Sequence, residues 1–562
     1  MFPKGIRPMR WTPRTVNWIR GKRERVFWIA GAIVVIGVAL HVPDYVSARH
    51  MHFMMAGMPM GPEMSVGMAL ILIGLVIGLW ALLPSRAARQ RASWQVAQAQ
   101  VRFSALDDVK LSRAHCSLIL ALTVGLVVDT MKPASLGFVI PPMAAEYGIS
   151  TKTASFLAFF AVVGTVVGSL TWGRLADVYG RRATLLFSGL MYVATCICGF
   201  MPSFRWNLVM CFLMGAAAGG MLPIVYSLAS ESLPARHRGW IIVLMSGLGA
   251  TLGYLVASGA ATVIEPVLSW RALWLLNFPT GLLLLALSRW IPESPRFLTV
   301  AGRNEEARQV TATYGIAEIQ LDAPDPPSIV PPPTGSLYGQ GALAPRGSVK
   351  FVTLLRGVYR RRTLVVVLYG VAWGIVNWGF ITFLPIYLTR AGAGTKTNSL
   401  LFTSSLLAPP VIVIAAMLYV RWGSKPSMLL FTGATGLILV VFAATNPTRP
   451  GDAALFVPLT AALLASSNGM LAMLSPYAAE IYPTTVRASG SGIAAAASKL
   501  GGTCGPLLLA AAPGVSALTL FAFVPVVVAF GVLWRYGPET ARKALADVMI
   551  PGDEFAPSEG LT

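Results

Sequence analysis

The sequence is short of charged residues, histidine and cysteine. Of its 562 residues only 12% are charged, and it has five histidines and five cysteines. The histidines show no zinc-ligand spacing, no nucleophile motif is present, and the glycine-rich runs lack a phosphate-binding pattern. These shortages argue against an enzyme, and we expect no cofactor. All the cysteines lie in apolar runs and are interpreted as small hydrophobic residues, not as disulfides or metal ligands.

Long apolar runs are what the chain has in abundance. Hydrophobic residues make up 55% of it, and the mean hydropathy is +0.66. A helix that crosses the hydrocarbon core of a bilayer needs about 20 apolar residues. The runs therefore predict an all-α polytopic membrane protein. The fourteen predicted spans lie near 26–43, 64–83, 115–140, 152–171, 183–201, 206–229, 240–262, 272–290, 364–386, 398–420, 426–444, 454–477, 490–512 and 517–535.

The basic excess follows the topology of these spans. Lysine and arginine outnumber acidic residues by 44 to 23, a net charge of +21. Most of these cations fall in loops on one side of the spans, which is the positive-inside pattern. This pattern places both termini in the cytoplasm and suits an anionic inner leaflet of the lipid bilayer. A nucleic-acid partner is not needed to explain the charge.

The polar gaps divide the chain into segments. The first two spans follow a basic head and end in a basic linker. A signal peptide cleaved near 46–48 is the alternative for the first span, but its head is long for a signal, so we favour a retained helix. The predicted segments are a cytoplasmic N-terminus (1–25), an extra helix pair with a Met/His-rich outside loop (26–83), a basic linker (84–114), a six-helix bundle (115–290), a Pro-rich cytoplasmic loop (291–363), a second six-helix bundle (364–536) and a cytoplasmic tail (537–562).

Three charged signatures occur in order in the first half and again, less complete, in the second. They lie at 173–182, 231–239 and 292–296, and at 421–425, 480–487 and 538–540. The spacing is 58 residues from Gly173 to Glu231 and 57 from Gly423 to Glu480. Two like halves in a membrane are typical of secondary transporters, which move one half against the other.

These signatures resemble the major facilitator superfamily. Residues 173–182 resemble its loop 2–3 motif, and 231–239 and 480–487 its loop 4–5 and 10–11 motifs. Residues 292–296 and 538–540 resemble the sugar-porter signatures, which proton symporters of aromatic acids and other organic metabolites share. The resemblance covers about 115–545 and implies two six-helix bundles, here with two additional N-terminal transmembrane helices. It also implies a plasma membrane, as in a bacterial inner membrane, and we expect a monomer.

The resemblance further implies a charged gate at the cytoplasmic end of the bundles. Asp177 lies in a turn bounded by glycines, where we expect it to face a helix N-terminus; an anion there is stabilised by roughly 0.3–1 kcal/mol. Ordinary topology charge is the alternative, and it suffices for a lone arginine but not for the repeated pattern. The predicted gating residues are Gly173, Asp177, Gly180, Arg181, Arg182, Glu231, Arg238, Glu293, Arg296, Glu480, Arg487 and Glu539.

Two positions depart from the family pattern. Cys211 stands where the fourth helix of the family usually has an arginine, and the sugar-binding Gln-Gln-x-x-Gly-Asn pattern of the seventh helix is absent. That helix carries Trp373-Gly-Ile-Val-Asn377-Trp378 instead. The sugar-porter signatures therefore do not make this a sugar carrier. Asn377 and Trp378 are predicted to orient and stack a planar substrate, the alternative being that the tryptophan faces lipid or packs.

Asp129, Lys132 and Lys499 lie deep in the predicted spans. Burying such groups costs about 2.5–3.5 kcal/mol, so they usually line a cavity or pair. Asp129 and Lys132 share a helix face, and Pro133 beside them is expected to kink the helix. We predict that Asp129 carries a proton; resemblance to organic-anion symporters implies that Lys499 binds a substrate carboxylate. The alternative for the first two is a static Asp129–Lys132 ion pair.

The residues therefore predict a secondary transporter. It moves a small organic anion, such as an aromatic carboxylate, by proton-coupled alternating access, and import is favoured over export. One alternative is a carrier of sugars, polyols or other neutral metabolites. Another is a membrane sensor or copper-handling protein that uses the Met/His-rich loop at 50–64, because thioether and imidazole groups suit Cu(I). We favour an interfacial loop in which methionine is a flexible hydrophobe.

Overall fold

The computed structural model describes residues 22–82, 109–300, 303–315, 354, 359–390, 396–445, 453–482, 487–504 and 515–540. Every regular element in these ranges is a helix. The predicted all-α class is confirmed.

Two long helices precede the bundles and pack closely on each other. They are α1 (Lys22–Ala39) and α3 (Pro62–Leu82), connected through α2 (Val42–Ser47) and a 3₁₀ turn (Ala48–Met51). Glycines allow the contact: a Cβ on Gly67 would lie 2.6 Å from the carbonyl oxygen of Gly37. Small residues at such positions let helix backbones approach, which is how helices associate in a membrane.

The first bundle follows. Its helices are α4 (Arg113–Glu146), α5 (Thr151–Ala154), α6 (Phe156–Tyr179), α7 (Arg181–Ala194) with a 3₁₀ extension (Thr195–Phe200), α8 (Phe204–Ala218), α9 (Met221–Ser232), α10 (Ala235–Val263), α11 (Glu265–Leu268), α12 (Arg271–Leu275) and α13 (Asn277–Leu287) with a 3₁₀ end (Ser288–Trp290). α4 continues through Pro133 without a break in the helix. α1 and α3 both pack on α7, and nearly all residues of α7 are buried.

Two short helices lead toward the second bundle. They are α14 (Pro295–Val300) and α15 (Asn304–Thr313), which pack on each other. The second bundle comprises α16 (Tyr359–Gly374), a π-helical turn (Ile375–Phe380), a 3₁₀ turn (Ile381–Phe383), α17 (Leu384–Arg390), α18 (Lys396–Leu406), α19 (Pro409–Trp422), α20 (Ser424–Thr445), α21 (Ala453–Glu480), α22 (Arg487–Thr503) and α23 (Val515–Tyr536).

Twelve helices within the described ranges are long and apolar enough to cross a membrane. They include both front helices, as Arg23–Met51 and Pro62–Leu82. The two other predicted spans fall short for different reasons. Span 206–229 is divided at Gly219 and Gly220 into α8 and α9, and span 490–512 is described only as far as residue 504.

Candidate functional site

A cavity lies between the two bundles; together with its opening to solvent it has about 910 Å³ of space not filled by atoms. All five predicted substrate or proton residues line it, namely Asp129, Lys132, Asn377, Trp378 and Lys499. Polar and aromatic side chains that sequence reasoning did not select also line it: Thr130, Thr165, Tyr254, Trp373, Thr382 and Asn468. The rest of the lining is mostly apolar. The ammonium groups of Lys132 and Lys499 and the carboxyl group of Asp129 thus line one largely apolar cavity.

Asp129 and Lys132 both contact Tyr192 of α7. The Tyr192 hydroxyl donates a hydrogen bond to Asp129 Oδ1, and Lys132 Nζ lies 3.2 Å from the centroid of the Tyr192 ring. Lys132 Nζ also donates to Thr195 Oγ1 at 3.4 Å. The side chains of Asp129, Lys132 and Tyr192 are buried. Among the described residues no direct ion pair joins Asp129 to Lys132, and each group has a contact on α7 instead.

Lys499 reaches from the second bundle to the first. Its ammonium group donates to Ser169 Oγ on α6 and, at 3.2 Å, to the carbonyl oxygen of Gly219 between α8 and α9. The residue is only 5% exposed. Both of these hydrogen-bond partners are neutral. Asp129, which lines the same cavity, is the acid that acts on this ammonium group electrostatically. A buried cation whose hydrogen bonds go to neutral groups favours an incoming anion, because burying a charge is costly.

Asn377 and Trp378 lie in the π-helical turn that follows α16. Such turns are rare and frequent at functional sites. The Asn377 carbonyl oxygen accepts a hydrogen bond from Thr382 Oγ1 at 3.0 Å. Trp378 packs against Gly502 of α22. A Cβ added to Gly502 would lie 2.6 Å from the Cβ of Trp378. Trp378 therefore contacts the helix that carries Lys499, and it lines the cavity as well.

Tyr192 and Ser169 are the contacts that sequence reasoning missed. Each lies in an apolar run, where a tyrosine or serine is usually a packing residue. The only signal for Tyr192 was that a buried phenol hydroxyl generally finds a hydrogen-bond partner. That signal does not say which partner it finds.

One end of the first bundle carries the first set of charged signatures, and we call it the motif end. There Glu293 caps the N-terminus of α7, accepting hydrogen bonds from the backbone N–H groups of Arg181 at 2.8 Å and Arg182 at 3.2 Å. Gly180 precedes them with φ of +102°, and a Cβ there would clash with Glu293. Arg181 also pairs with Glu231 at 3.2 Å. The carboxylate at the helix end has the favourable sign for the helix dipole.

The second bundle repeats this arrangement. Glu539 caps the N-terminus of α20, accepting from the backbone N–H groups of Ser424 at 2.8 Å and Lys425 at 3.0 Å. Gly423, with φ of +104°, takes the place of Gly180. Glu480 accepts hydrogen bonds from the Tyr419 hydroxyl and from Thr540 Oγ1, both at 2.6 Å. The repeat in the sequence is thus a repeat in the structure.

The remaining predicted gating residues differ in what can be said of them. Arg238 donates from its guanidinium to the carbonyl oxygen of Leu233 at 3.1 Å, at the C-terminal end of α9. A cation is favoured at that end of a helix. Gly173, Asp177, Arg296 and Arg487 lie where the side chains are outside the described part of the chain. The gating roles of all twelve predicted residues stay predictions.

Glu293 is buried at the motif end, and this perturbs its ionisation. Burial raises the pKa of Glu293 from 4.5 to about 7, against the opposing effects of the backbone N–H groups of Ser294, Arg181 and Arg182 and of the Arg181 guanidinium. The carboxyl group therefore titrates near neutral pH. We therefore expect the predicted gate, which includes this group, to respond to the pH at the motif end.

The Met/His-rich loop is held on the first bundle by Glu146, at the end of α4. Glu146 Oε1 accepts from the backbone N–H groups of Met55 at 2.9 Å and Ala56 at 3.1 Å. The same carboxylate pairs with Arg271 at 2.6 Å, and Arg271 is completely buried. In the described ranges no group of three or more His, Cys, Asp or Glu residues is arranged to hold a metal ion.

The chain is similar to a known protein family and to individual members of it. Residues 118–506 match the sequence profile of the Major Facilitator Superfamily. The niacin transporter NiaP of Acinetobacter baylyi is 27% identical over 411 residues, which cover 72% of this chain and 89% of NiaP. The benzoate transport protein of the same species is 26% identical over 418 residues, covering 72% of this chain and 84% of that protein.

Among solved structures, the chain is similar in fold to the xylose transporter XylE from E. coli in a partially occluded inward-open conformation. The TM-score is 0.59 at 16% identity, and the alignment covers 77% of this chain and all of XylE. Helices α1–α3 precede the residues that match the family profile.

Proposed function

The chain belongs to the major facilitator superfamily, and on that premise we propose that this integral membrane protein carries a small organic anion together with protons. The observation that carries the proposal is Lys499, a buried ammonium group that lines the inter-bundle cavity and donates to the neutral oxygens of Ser169 and Gly219. Such a cation binds a carboxylate through charge-assisted hydrogen bonds.

A planar aromatic acid suits the rest of the cavity. Trp373, Trp378 and Tyr254 line it together with mostly apolar side chains, and aromatic rings pack well on a flat ring. Asn377 adds an amide that can orient a polar substituent. The relatives named as a niacin transporter and a benzoate transport protein support this substrate class.

The contacts of Lys499 suggest how the substrate enters the cycle. In this structure the ammonium group joins the second bundle to α6 and to the α8–α9 junction of the first. A substrate carboxylate that takes Lys499 from Ser169 and Gly219 removes a contact between the bundles. Asp129, in the same cavity, takes up and releases the proton. Binding of substrate and proton is thereby coupled to the movement of one bundle against the other.

The location and direction follow from the charge distribution and the relatives. We propose a plasma membrane with the motif end of the bundles in the cytoplasm, because most lysines and arginines fall in the loops of that side. We propose import, which the symporter-like signatures at 292–296 and 538–540 favour. A sugar is a weaker candidate, because the sugar-binding Gln-Gln-x-x-Gly-Asn pattern is absent from the seventh helix and two ammonium groups line the cavity.

The test is uptake by purified protein in liposomes that carry an internal pH dye, with an inward proton gradient. Radiolabelled benzoate and nicotinate are the probes, and xylose and Cu(I) test the alternatives. We expect the gradient to raise uptake of the acids, with proton entry in step. Lys499→Ala should reduce uptake at least 100-fold through loss of a charge-assisted contact, an effect of about 2.7 kcal/mol or more. Asp129→Asn should leave substrate exchange but abolish proton entry.

Matched controls use exposed residues of the same type. Lys396→Ala and Glu63→Gln change an exposed cation and an exposed acid away from the cavity, and both should transport like the wild type. Uptake of xylose but of neither acid would contradict the proposal, and so would acid uptake that survives Lys499→Ala. Silence toward every organic probe, combined with Cu(I) binding that depends on residues 50–64, would favour the copper-handling alternative.

A further inference from the structure

We propose that Tyr192 is a positioning residue of the proton site, a role that rests on the proposed function. Its hydroxyl group holds Asp129 and its ring holds Lys132, so that one side chain of α7 keeps the carboxylate and the ammonium group of α4 from pairing directly. Asp129 then remains available to bind and release a proton during the cycle.

The geometry supports both halves of this role. The phenol oxygen donates to Asp129 Oδ1, and the ring face lies 3.2 Å from Lys132 Nζ. The ammonium group is thus in contact with the negative face of the aromatic ring, an attraction that grows when the groups are desolvated. Asp129 and Lys132 are three residues apart on one helix, a spacing at which opposite charges normally pair. The absence of a direct pair here needs a cause. Tyr192 supplies one, because it contacts both groups.

A second contact on the same helix fixes the ammonium group. Thr195 Oγ1 accepts from Lys132 Nζ at 3.4 Å and donates to the carbonyl oxygen of Tyr192 at 3.2 Å. Thr195 begins the 3₁₀ extension of α7. This turn therefore places a hydroxyl group beside the ring, and the two residues hold Lys132 together.

Several other groups act on Asp129 and must be considered in any pH experiment. The titratable and charged groups that face it are Lys132 on its own helix, Tyr192 on α7, Tyr226 on α9 and Lys499 on α22. Tyr226 donates its hydroxyl hydrogen bond to Ser246 Oγ at 2.7 Å. Tyr192 is therefore the one whose hydroxyl group reaches the carboxylate among the described residues.

Two substitutions separate the hydroxyl group from the ring. Tyr192→Phe keeps the ring beside Lys132 but removes the donor to Asp129. Hydrogen bonds to a charged group are stronger than neutral ones. Without this bond the Asp129 carboxylate takes up its proton at a pH about one unit higher or more. Tyr192→Leu removes the ring as well, which frees Lys132 to pair with Asp129.

The experiment measures the pH profile of proton-driven benzoate or nicotinate uptake in liposomes. We expect Tyr192→Phe to move the pH of half-maximal uptake upward by about one unit while the substrate KM changes less than threefold. Tyr192→Leu should lose proton coupling, as Asp129→Asn does. The Asp129→Asn/Tyr192→Phe double variant should behave like Asp129→Asn alone, because the two changes act on one interaction.

A wild-type pH profile of uptake in Tyr192→Phe would overturn the inference. So would a double variant whose loss of uptake is the full sum of the losses in the two single variants. These results leave the proposed function intact, since wild-type uptake and its dependence on Lys499 are measured in the same liposomes. Should Tyr192→Leu fail to fold, the conservative phenylalanine variant and the double variant decide the question alone.

Discussion

Glu293 makes the motif end of the first bundle sensitive to pH, and the sign of the effect can be predicted. Burial raises the pKa of its carboxyl group from 4.5 to about 7, and the residue is 2% exposed. We predict that opening at this end exposes the group to water and returns it to its ordinary ionisation. The closed arrangement therefore binds the proton more tightly than the open one. Lowering the pH must favour the closed arrangement.

The magnitude follows from the two values. As the pH falls from 7 to 4.5, closure gains about 1.4 kcal/mol per pH unit, or about 3.5 kcal/mol in total. Above pH 7 a change of pH has no effect on closure through this group. This stabilisation is fully present below pH 4.5 and is lost as the pH rises through 7.

Hydrogen exchange of the peptide that contains residues 181–186 measures this gate directly, because the Arg181 and Arg182 amides donate to Glu293. After correction for the intrinsic pH dependence of exchange, protection of these amides should fall about tenfold per pH unit from pH 5 to 7 and then level off. Glu293→Gln should give a flat profile. Glu305→Gln, which changes an exposed glutamate of α15, should keep the wild-type slope.

Two outcomes would refute the reasoning. Protection that rises with pH would mean that the N–H groups at the start of α7 stabilise the carboxylate more than burial disfavours it. A slope that persists in Glu293→Gln would assign the pH sensitivity to another group.

Further predictions concern folding. Glu146→Gln should destabilise the protein by about 3–5 kcal/mol, because it leaves the buried Arg271 charge unpaired; a thermal melt in detergent checks this, and an unchanged melting temperature would contradict it. Gly180→Ala and Gly423→Ala should each cost about 1–3 kcal/mol, because φ is +102° and +104° at these sites. Gly531→Ala, on α23 with nothing within 4 Å of the new methyl group, should be neutral or slightly stabilising, and an equal loss in all three variants would exclude backbone strain as the cause.

The sequence alone determined the features that depend on local composition. An apolar run long enough to cross a bilayer forms a helix there, because every backbone polar group must be satisfied internally. The predicted helical class follows from such runs, and the family was identified by the resemblance of the charged motifs between them. The repeat also predicted that Glu293 and Glu539 occupy equivalent positions. In the structure they cap equivalent helices of the two bundles.

The tertiary structure decided which side chains meet across long separations. Asp129 and Tyr192 are 63 residues apart, and Lys499 and Ser169 are 330 apart. Helical periodicity gives the face on which each side chain lies but not the rotation and depth of the facing helix, which are set by packing of many small and large residues. For the same reason the docking of the front helix pair on α7, and its attachment through Glu146 to Met55 and Ala56, has no signal in the sequence.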